Sequence, residues 1–250
     1  MDITALVTGA SAGIGAEFCR QLSERCDRII ATGRRRDRLE ALAAELADNT
    51  ELHCVEADLL TAEGRERVVA AIREHSPLTY LVNNAGFGTL GTFANSDLEA
   101  QQQQVDLHIT ATLALTHAAL PAMIDAGAGS IINLSSVGAF FPYPTGMIYS
   151  GTKAFLNVFS EGLQAEVADQ GIKVQSLCPG YTYSEFHDRT GIADAGFTRD
   201  QVPPEMWMEA SEVVKASLDA LQSDRVIVIP GEHNQAMAHA ELDALKQRLS

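Results

Sequence analysis

A chain of 250 residues can bury one sizeable core, and no Pro-, Gly- or Ser-rich linker divides it, so one domain spanning residues 1–250 is expected. Hydrophobic content of 46% and charged content of 20% are ordinary for a globular chain, and no apolar run approaches the ~18–20 residues of a membrane span. A formal net charge of -15 argues against nucleic acid as a partner, because a phosphate backbone would meet a repulsive field.

The N-terminus, MDITALVTG, carries Asp2 rather than a basic cluster, so no signal peptide is expected. Residues 3–8 form a β-rich run, GASAGIG follows, and the periodic stretch AEFCRQLSERC comes next: strand, glycine turn, helix. Gly9, Gly13 and Gly15 lack a β-carbon where the backbone must turn tightly, approach a pyrophosphate, or let helix and strand close up. The helix N-terminus would then offer its N–H groups to phosphates. A glycine-rich turn with no ligand fits the same pattern.

A second strand, residues 28–32, ends in Gly33-Arg34-Arg35-Arg36. At this corner of a dinucleotide site a carboxylate accepts from a ribose 2'-hydroxyl, whereas arginines fit a 2'-phosphate. The first acid, Asp37, lies beyond three arginines, which points to NADP(H) rather than NAD(H). Arg34 and Arg35 are the expected phosphate contacts, with Arg38 facing solvent. A solvated cluster opening the helix RDRLEALAAEL is the plainer alternative.

The third strand, residues 52–59, closes on Asp58, placed to meet an adenine edge. A helix over AEGRERVVAAIREH leads to a fourth strand, residues 78–82, which runs into Asn83-Asn84-Ala85-Gly86. Small residues and amides there let the chain pass close to a flat ring, although Asn83 could equally bracket neighbouring strands. From Leu98 to Ala126 helical periodicity is interrupted only by Pro121. The fifth strand, SIINLS, would deliver the Ser136 hydroxyl to its carboxyl end, where ligands of open α/β sheets bind.

Tyr149 and Lys153 stand four apart in the next helix, which places both side chains on one face, one turn apart. An ammonium beside a phenol is expected to lower the phenol's pKa from its ordinary ~10 and let it pass a proton near neutrality. A sixth strand, residues 172–178, ends in Pro179-Gly180. Residues 181–208 show no clean period yet carry Tyr181, Tyr183, Phe186, Phe197, Met206, Trp207 and Met208; such a segment reads as a binding loop. A helix, a seventh strand (RVIVIP) and a C-terminal helix follow. Strands alternating with helices predict an α/β fold: a doubly wound, Rossmann-like parallel sheet of about seven strands with helices on both faces. Cys19, Cys26, Cys54 and Cys178 have no paired or C-x-x-C spacing, which suits a reducing cytoplasm. No histidine pair has metal-ligand spacing with a third ligand, so no metal is expected.

TGASAGIG, NNAG, Ser136 with YSGTK, and CPG, in that order over nearly the whole chain, resemble the short-chain dehydrogenase/reductase family in its compact single-domain branch. The resemblance implies a nicotinamide dinucleotide, hydride transfer to or from a small-molecule alcohol or carbonyl, a homodimer or homotetramer, and no membrane partner. It makes Tyr149 the general acid/base, Ser136 the hydrogen-bond partner of the substrate oxygen, and Lys153 the holder of the ribose hydroxyls. It extends the cofactor-binding set to Gly9, Ser11, Gly13, Ile14, Gly15, Arg34, Arg35, Asp58, Asn84, Ala85, Gly86, Tyr149, Lys153, Pro179, Gly180, Thr182 and Ser184.

Two positions depart from the family pattern. Where the family has an Asn that extends a proton relay, this chain has His108, which is either an altered relay or a satisfied buried imidazole. Ser184, with Thr182 as rival, stands nearest the Thr that meets the carboxamide. The reading is an NADP(H)-dependent carbonyl reductase or alcohol dehydrogenase, with a substrate loop over about 184–208 and an apolar pocket. An NADP(H)-binding regulator without turnover is the alternative.

Overall fold

The computed structural model describes residues 2–187, 192 and 196–250. The expected substrate loop includes 188–191 and 193–195, which lie outside the described residues. Among the described residues seven strands form one parallel sheet: β1 Thr4–Thr8, β2 Arg28–Gly33, β3 Glu51–Glu56, β4 Tyr80–Asn83, β5 Gly129–Leu134, β6 Ile172–Leu177 and β7 Ile227–Val228. Their order is β3-β2-β1-β4-β5-β6-β7, so the chain winds outward from β1, returns, and winds the other way from β4. This is the doubly wound, Rossmann-like arrangement. Its switch point lies between β1 and β4, where the loops part and leave a crevice above the strand ends.

Among the described residues the main α-helices are α1 Gly13–Ser23, α2 Arg36–Leu46, α3 Ala62–Glu74, α4 Leu98–Val105, α5 Ala111–Ala126, α6 Met147–Val167, α7 Ala210–Ala220 and α8 Glu232–Arg248. β1 is buried along its whole length, as a strand covered on both faces must be. Period-two alternation then assigns its side chains. Ala5 and Val7 join Phe18 and Leu22 of α1, Leu39 of α2 and Val213 of α7 in one core cluster. Leu6 faces the other way, into a cluster with Ile72 of α3, Leu115 and Met123 of α5 and Leu163 of α6.

Several expected boundaries shift. Asp58 lies past β3, and Ser136 lies two residues past β5, as N-cap of a 3-10 turn, Val137–Phe140. β7 keeps only two residues of the expected RVIVIP strand. Pro121 does not interrupt α5. Pro121 and His117 are both exposed, so the carbonyl that loses its partner faces water and the helix continues. The real irregularity is a π turn, Asp106–Thr110, between α4 and α5. By length and composition the continuous helix Leu98–Ala126 is apolar enough to cross a membrane, a feature that does not stand out in the sequence. Ala111, Leu115, Ala119 and Met123 instead pack it into the core beside the sheet.

Candidate active site

The crevice at the switch point is a cleft of about 1200 Å³. One end is the turn between β1 and α1. Gly9 and Gly13 have φ of 66° and 55°, a region that side chains rarely adopt. A β-carbon on Gly15 would collide with both Gly9 O and Asn84 Nδ2, so this glycine permits the close approach of turn and helix. α1 begins at Gly13 with Ala12 as N-cap and no side-chain cap, so its first N–H groups are left for the cleft that Ser11, Gly13 and Ile14 line. A bare cradle of this shape fits a dinucleotide's phosphates.

Asn84 is engaged elsewhere: its Nδ2 donates to Thr8 O at 2.7 Å, while Thr8 Oγ1 accepts from the Asn84 and Ala85 amides at 2.9 Å each. These bonds clamp the ends of β1 and β4, so Asn84 reaches the cleft as part of its wall. Asn83 is a bracket. Its Nδ2 donates to Thr116 Oγ1 at 3.1 Å and to Asn133 Oδ1 at 2.9 Å, tying β4 to β5 and α5.

At the corner after β2, Arg34 is exposed and lines the cleft. Arg35 Nη2 donates to Ser11 Oγ at 3.2 Å, and its Nη1 pairs with Glu185 Oε2 at 2.7 Å. Arg38, expected to face solvent, is 54% exposed yet places Nη1 3.6 Å from Glu185 Oε1. Arg36 turns outward to Glu40. Asp58 also lines the cleft, with Oδ1 accepting from the Leu60 amide at 3.1 Å.

The other end holds Ser136, Tyr149 and Lys153, together with Gly86, Pro179, Gly180 and Thr182. A β-carbon on Gly138 would lie 3.3 Å from Ser136 Oγ and 3.4 Å from the Tyr149 ring, so the glycine is what lets hydroxyl and phenol converge. Ser136 Oγ accepts from the Gly138 amide at 3.0 Å and donates to Pro179 O at 3.5 Å, a bond weak enough to be exchanged. Lys153 is 4% exposed, and its Nζ donates to Leu134 O at 2.6 Å while lying 5.5 Å from the Tyr149 ring centroid.

Lys153 does not lower the phenol's pKa as the helical spacing leads one to expect. Desolvation pushes Tyr149 up to about 12, with Ser136 acting in the lowering direction. Desolvation also brings Lys153 down to about 7, so near neutrality it is only partly charged and its charge does not offset the desolvation of the phenol.

His108 projects inward from the π turn and is 1% exposed. Its Nε2 accepts from the Phe87 amide at 3.2 Å, so the proton sits on Nδ1, which donates to Thr152 Oγ1 at 2.8 Å. Thr152 Oγ1 in turn donates to Tyr149 O at 2.8 Å. Burial, and secondarily the charge of Lys153, hold the imidazole's pKa well below its ordinary value. Both ring nitrogens are thus engaged, and the chain of bonds links the loop after β4 to the backbone of Tyr149.

Beyond Tyr149 the cleft is walled by Phe141, Tyr143, Phe186, Tyr181 and Phe197, with Phe186 5.9 Å from the Tyr149 ring. Tyr181 stacks on Phe197, and Tyr183 stacks on Trp207 at 5.0 Å. Ser184 packs over the glycine turn: a β-carbon on Gly13 would stand 2.9 Å from Ser184 Cβ. Thr182 Oγ1 instead turns back to Gly180 O at 3.1 Å.

Sequence spacing does not indicate the parts played by Gly138, Thr152 and Glu185. Gly138 and Thr152 sit within the motif region, where a G after Ser136 and a T before Lys153 were the only signals. Glu185 meets Arg35 across 150 residues of chain, and no local pattern announces that.

Residues 3–193 match the family model described as short chain dehydrogenase. The chain is 41% identical over 189 residues to the serine 3-dehydrogenase of Agrobacterium fabrum, covering 74% of this chain and 74% of that protein. Its structure is similar to that of a short-chain dehydrogenase from Sphingobium yanoikuyae in complex with NADPH, at 33% identity and a TM-score of 0.86, covering 99% of this chain and 94% of the other. It is also similar to the bulky-bulky ketone specific alcohol dehydrogenase from Comamonas testosteroni, at 31% identity and a TM-score of 0.83, covering 99% and 93%.

Proposed function

This chain belongs to the short-chain dehydrogenase/reductase family, oxidoreductases of alcohol and carbonyl groups, and from that premise we propose that it transfers hydride reversibly between NADP(H) and a mainly apolar ketone or secondary alcohol. The observation that carries the reading is the layout of one cleft, with Arg34 and Arg35 at one end and Ser136, Tyr149 and Lys153 at the other.

The first N–H groups of α1, with Ser11, Gly13 and Ile14, would hold the cofactor's phosphates. Arg34 and Arg35 would hold a 2'-phosphate, Asp58 the adenine edge, and Lys153 the ribose hydroxyls. Gly9, Gly15, Asn84, Ala85 and Gly86 shape the wall along which it lies, Pro179, Gly180 and Thr182 close the nicotinamide end, and Ser184 covers the glycine turn. The bound nicotinamide supplies the hydride in reduction and accepts it in oxidation.

In reduction, negative charge grows on the carbonyl oxygen, and donors fixed at that spot stabilise the transition state more than the ground state. Ser136 Oγ–H turns from Pro179 O to that oxygen, and Tyr149 gives it a proton. A phenol held near 12 is fully protonated at neutral pH, which suits the acid role. Lys153, brought to about 7, can return a proton to the phenolate, the sequence running backwards in oxidation. His108 acts as a positioning residue through Thr152 and the Tyr149 carbonyl.

The relatives' substrates span serine and bulky ketones. The aromatic wall beyond Tyr149 favours the latter class for this chain. NADPH oxidation should be followed with a panel running from aryl ketones to small polar aldehydes, comparing the wild type with Tyr149→Phe. Turnover of the aryl ketones, lost at least about 100-fold in the variant, is the expected outcome. Turnover confined to small, highly polar carbonyls would overturn the substrate class, and NADPH binding without any turnover would favour a regulator.

A further inference from the structure

Among the described residues, Glu185 is the acid that meets Arg35 and Arg38 at the 2' corner of the cleft, and it comes from the opposite side of it. A carboxylate at this corner normally follows β2; here that position is arginine, and the carboxylate arrives from the segment after β6. Its Oε2 lies 2.7 Å from Arg35 Nη1 and its Oε1 lies 3.6 Å from Arg38 Nη1. Arg35 also holds Ser11, so the pair sits against the glycine turn rather than loose in solvent. Ser184, the preceding residue, is packed on Gly13, and its carbonyl accepts from Arg199 Nη2 at 2.7 Å. Glu185 is therefore presented by a braced segment.

From this arrangement we propose that Glu185 sets the balance between the two nicotinamide cofactors. The proposal rests on the assignment of the Arg34–Arg35 corner to the cofactor's 2' position. A 2'-phosphate and the Glu185 carboxylate are both anions that need the same guanidinium. The phosphate must displace the carboxylate before it can take both edges of Arg35, and part of its attraction is offset by breaking the existing pair. A cofactor with a free 2'-hydroxyl demands no such exchange, and a hydroxyl can donate to the carboxylate where it stands. Glu185 thus moderates a preference for NADP(H) that the arginines alone would make steeper, and it acts through Arg35 as a positioning residue.

Displacement has a second consequence, because Glu185 belongs to the segment that walls the substrate end. Phe186, the next residue, lies 5.9 Å from the Tyr149 ring, and Tyr183, two residues earlier, stacks on Trp207. Seating a 2'-phosphate accordingly releases one anchor of that segment, whereas seating a 2'-hydroxyl leaves it in place.

The test is calorimetric titration of the full chain with NADP+ and with NAD+, for wild type, Glu185→Gln, Arg35→Gln and the double variant. A part-exposed ion pair contributes up to ~1 kcal/mol, or roughly 5-fold in affinity. Glu185→Gln is therefore expected to tighten NADP+ by about 5-fold, to leave NAD+ unchanged or weaken it, and to lose its effect when Arg35 is already Gln. An unchanged NADP+ affinity, an equal shift for both cofactors, or a gain that survives Arg35→Gln would each overturn the proposal. Failure of the corner assignment reads differently: Arg35→Gln would then leave NADP+ binding unaltered in the wild-type background.

Discussion

At 4% exposure Lys153 carries an amine into a place where charge is poorly solvated, and this shapes the stability of the chain as well as its chemistry. Its pKa falls from the ordinary lysine value to about 7, so between pH 7 and that ordinary value the unfolded chain holds a proton the folded chain has lost. The penalty for folding is complete below pH 7, where the folded chain must carry the buried ammonium, and it fades as the pH rises. Replacing Lys153 by Met should therefore abolish turnover yet raise the melting temperature at pH 6.5, by about 3 °C or more for a penalty of a few kcal/mol. The gain should shrink steadily by pH 9.5. Thermal unfolding followed by circular dichroism at several pH values checks this, and a gain independent of pH would refute the buried-charge account. The i,i+4 spacing of Tyr149 and Lys153 does reveal that they share a helix face. It does not reveal how dry that face is, and dryness reverses the expected pKa of the phenol.

Among the elements, the helix from Leu98 to Ala126 separates what periodicity discloses from what it hides. Its helical character is plain in the sequence, while its distortion is not. A proline at 121 is harmless because its side of the helix is wet, and the π turn at Asp106–Thr110 carries neither proline nor glycine to mark it. The turn matters because it aims His108 at Phe87 and Thr152. His108→Asn shortens the side chain and leaves at least one of those partners unmet, a loss of about 1–3 kcal/mol. The melting temperature should drop by several degrees and kcat should fall. Since the imidazole stays neutral well below its ordinary pKa, the rate ratio of wild type to variant should be the same at pH 6 and pH 8. A ratio that changes across that interval would mean the ring titrates during turnover, as an altered relay requires. Strand ends mislead for a related reason. Ser136 and Asp58 lie two residues past the regular strands β5 and β3, and a run of apolar residues does not record where its neighbour ends.

For the molecule as a whole, alternation of strands and helices makes the doubly wound sheet legible, and the glycine turn, Tyr149 and Lys153 locate the crevice. Contacts between distant loops, such as Glu185 with Arg35, exist only once the sheet has brought the ends of β2 and β6 above the same crevice. The charge distribution follows the same logic. A net charge of -15 repels an anionic dinucleotide, whereas Arg34 and Arg35 at the cleft attract it. The two effects respond differently to salt. At 0.1 M the screening length is about 10 Å, so acids scattered over the surface fade first, while a phosphate in direct contact with a guanidinium is screened less. If the arginines govern the bound state and the scattered acids govern approach, raising salt from about 20 to 200 mM should speed NADPH association. Dissociation should speed up by a smaller factor, leaving the Kd little changed or tighter. Stopped-flow measurement of reduced-cofactor fluorescence resolves the two rates. Association that slows as salt rises would show that the local cation pair, rather than the acidic surface, steers the cofactor in.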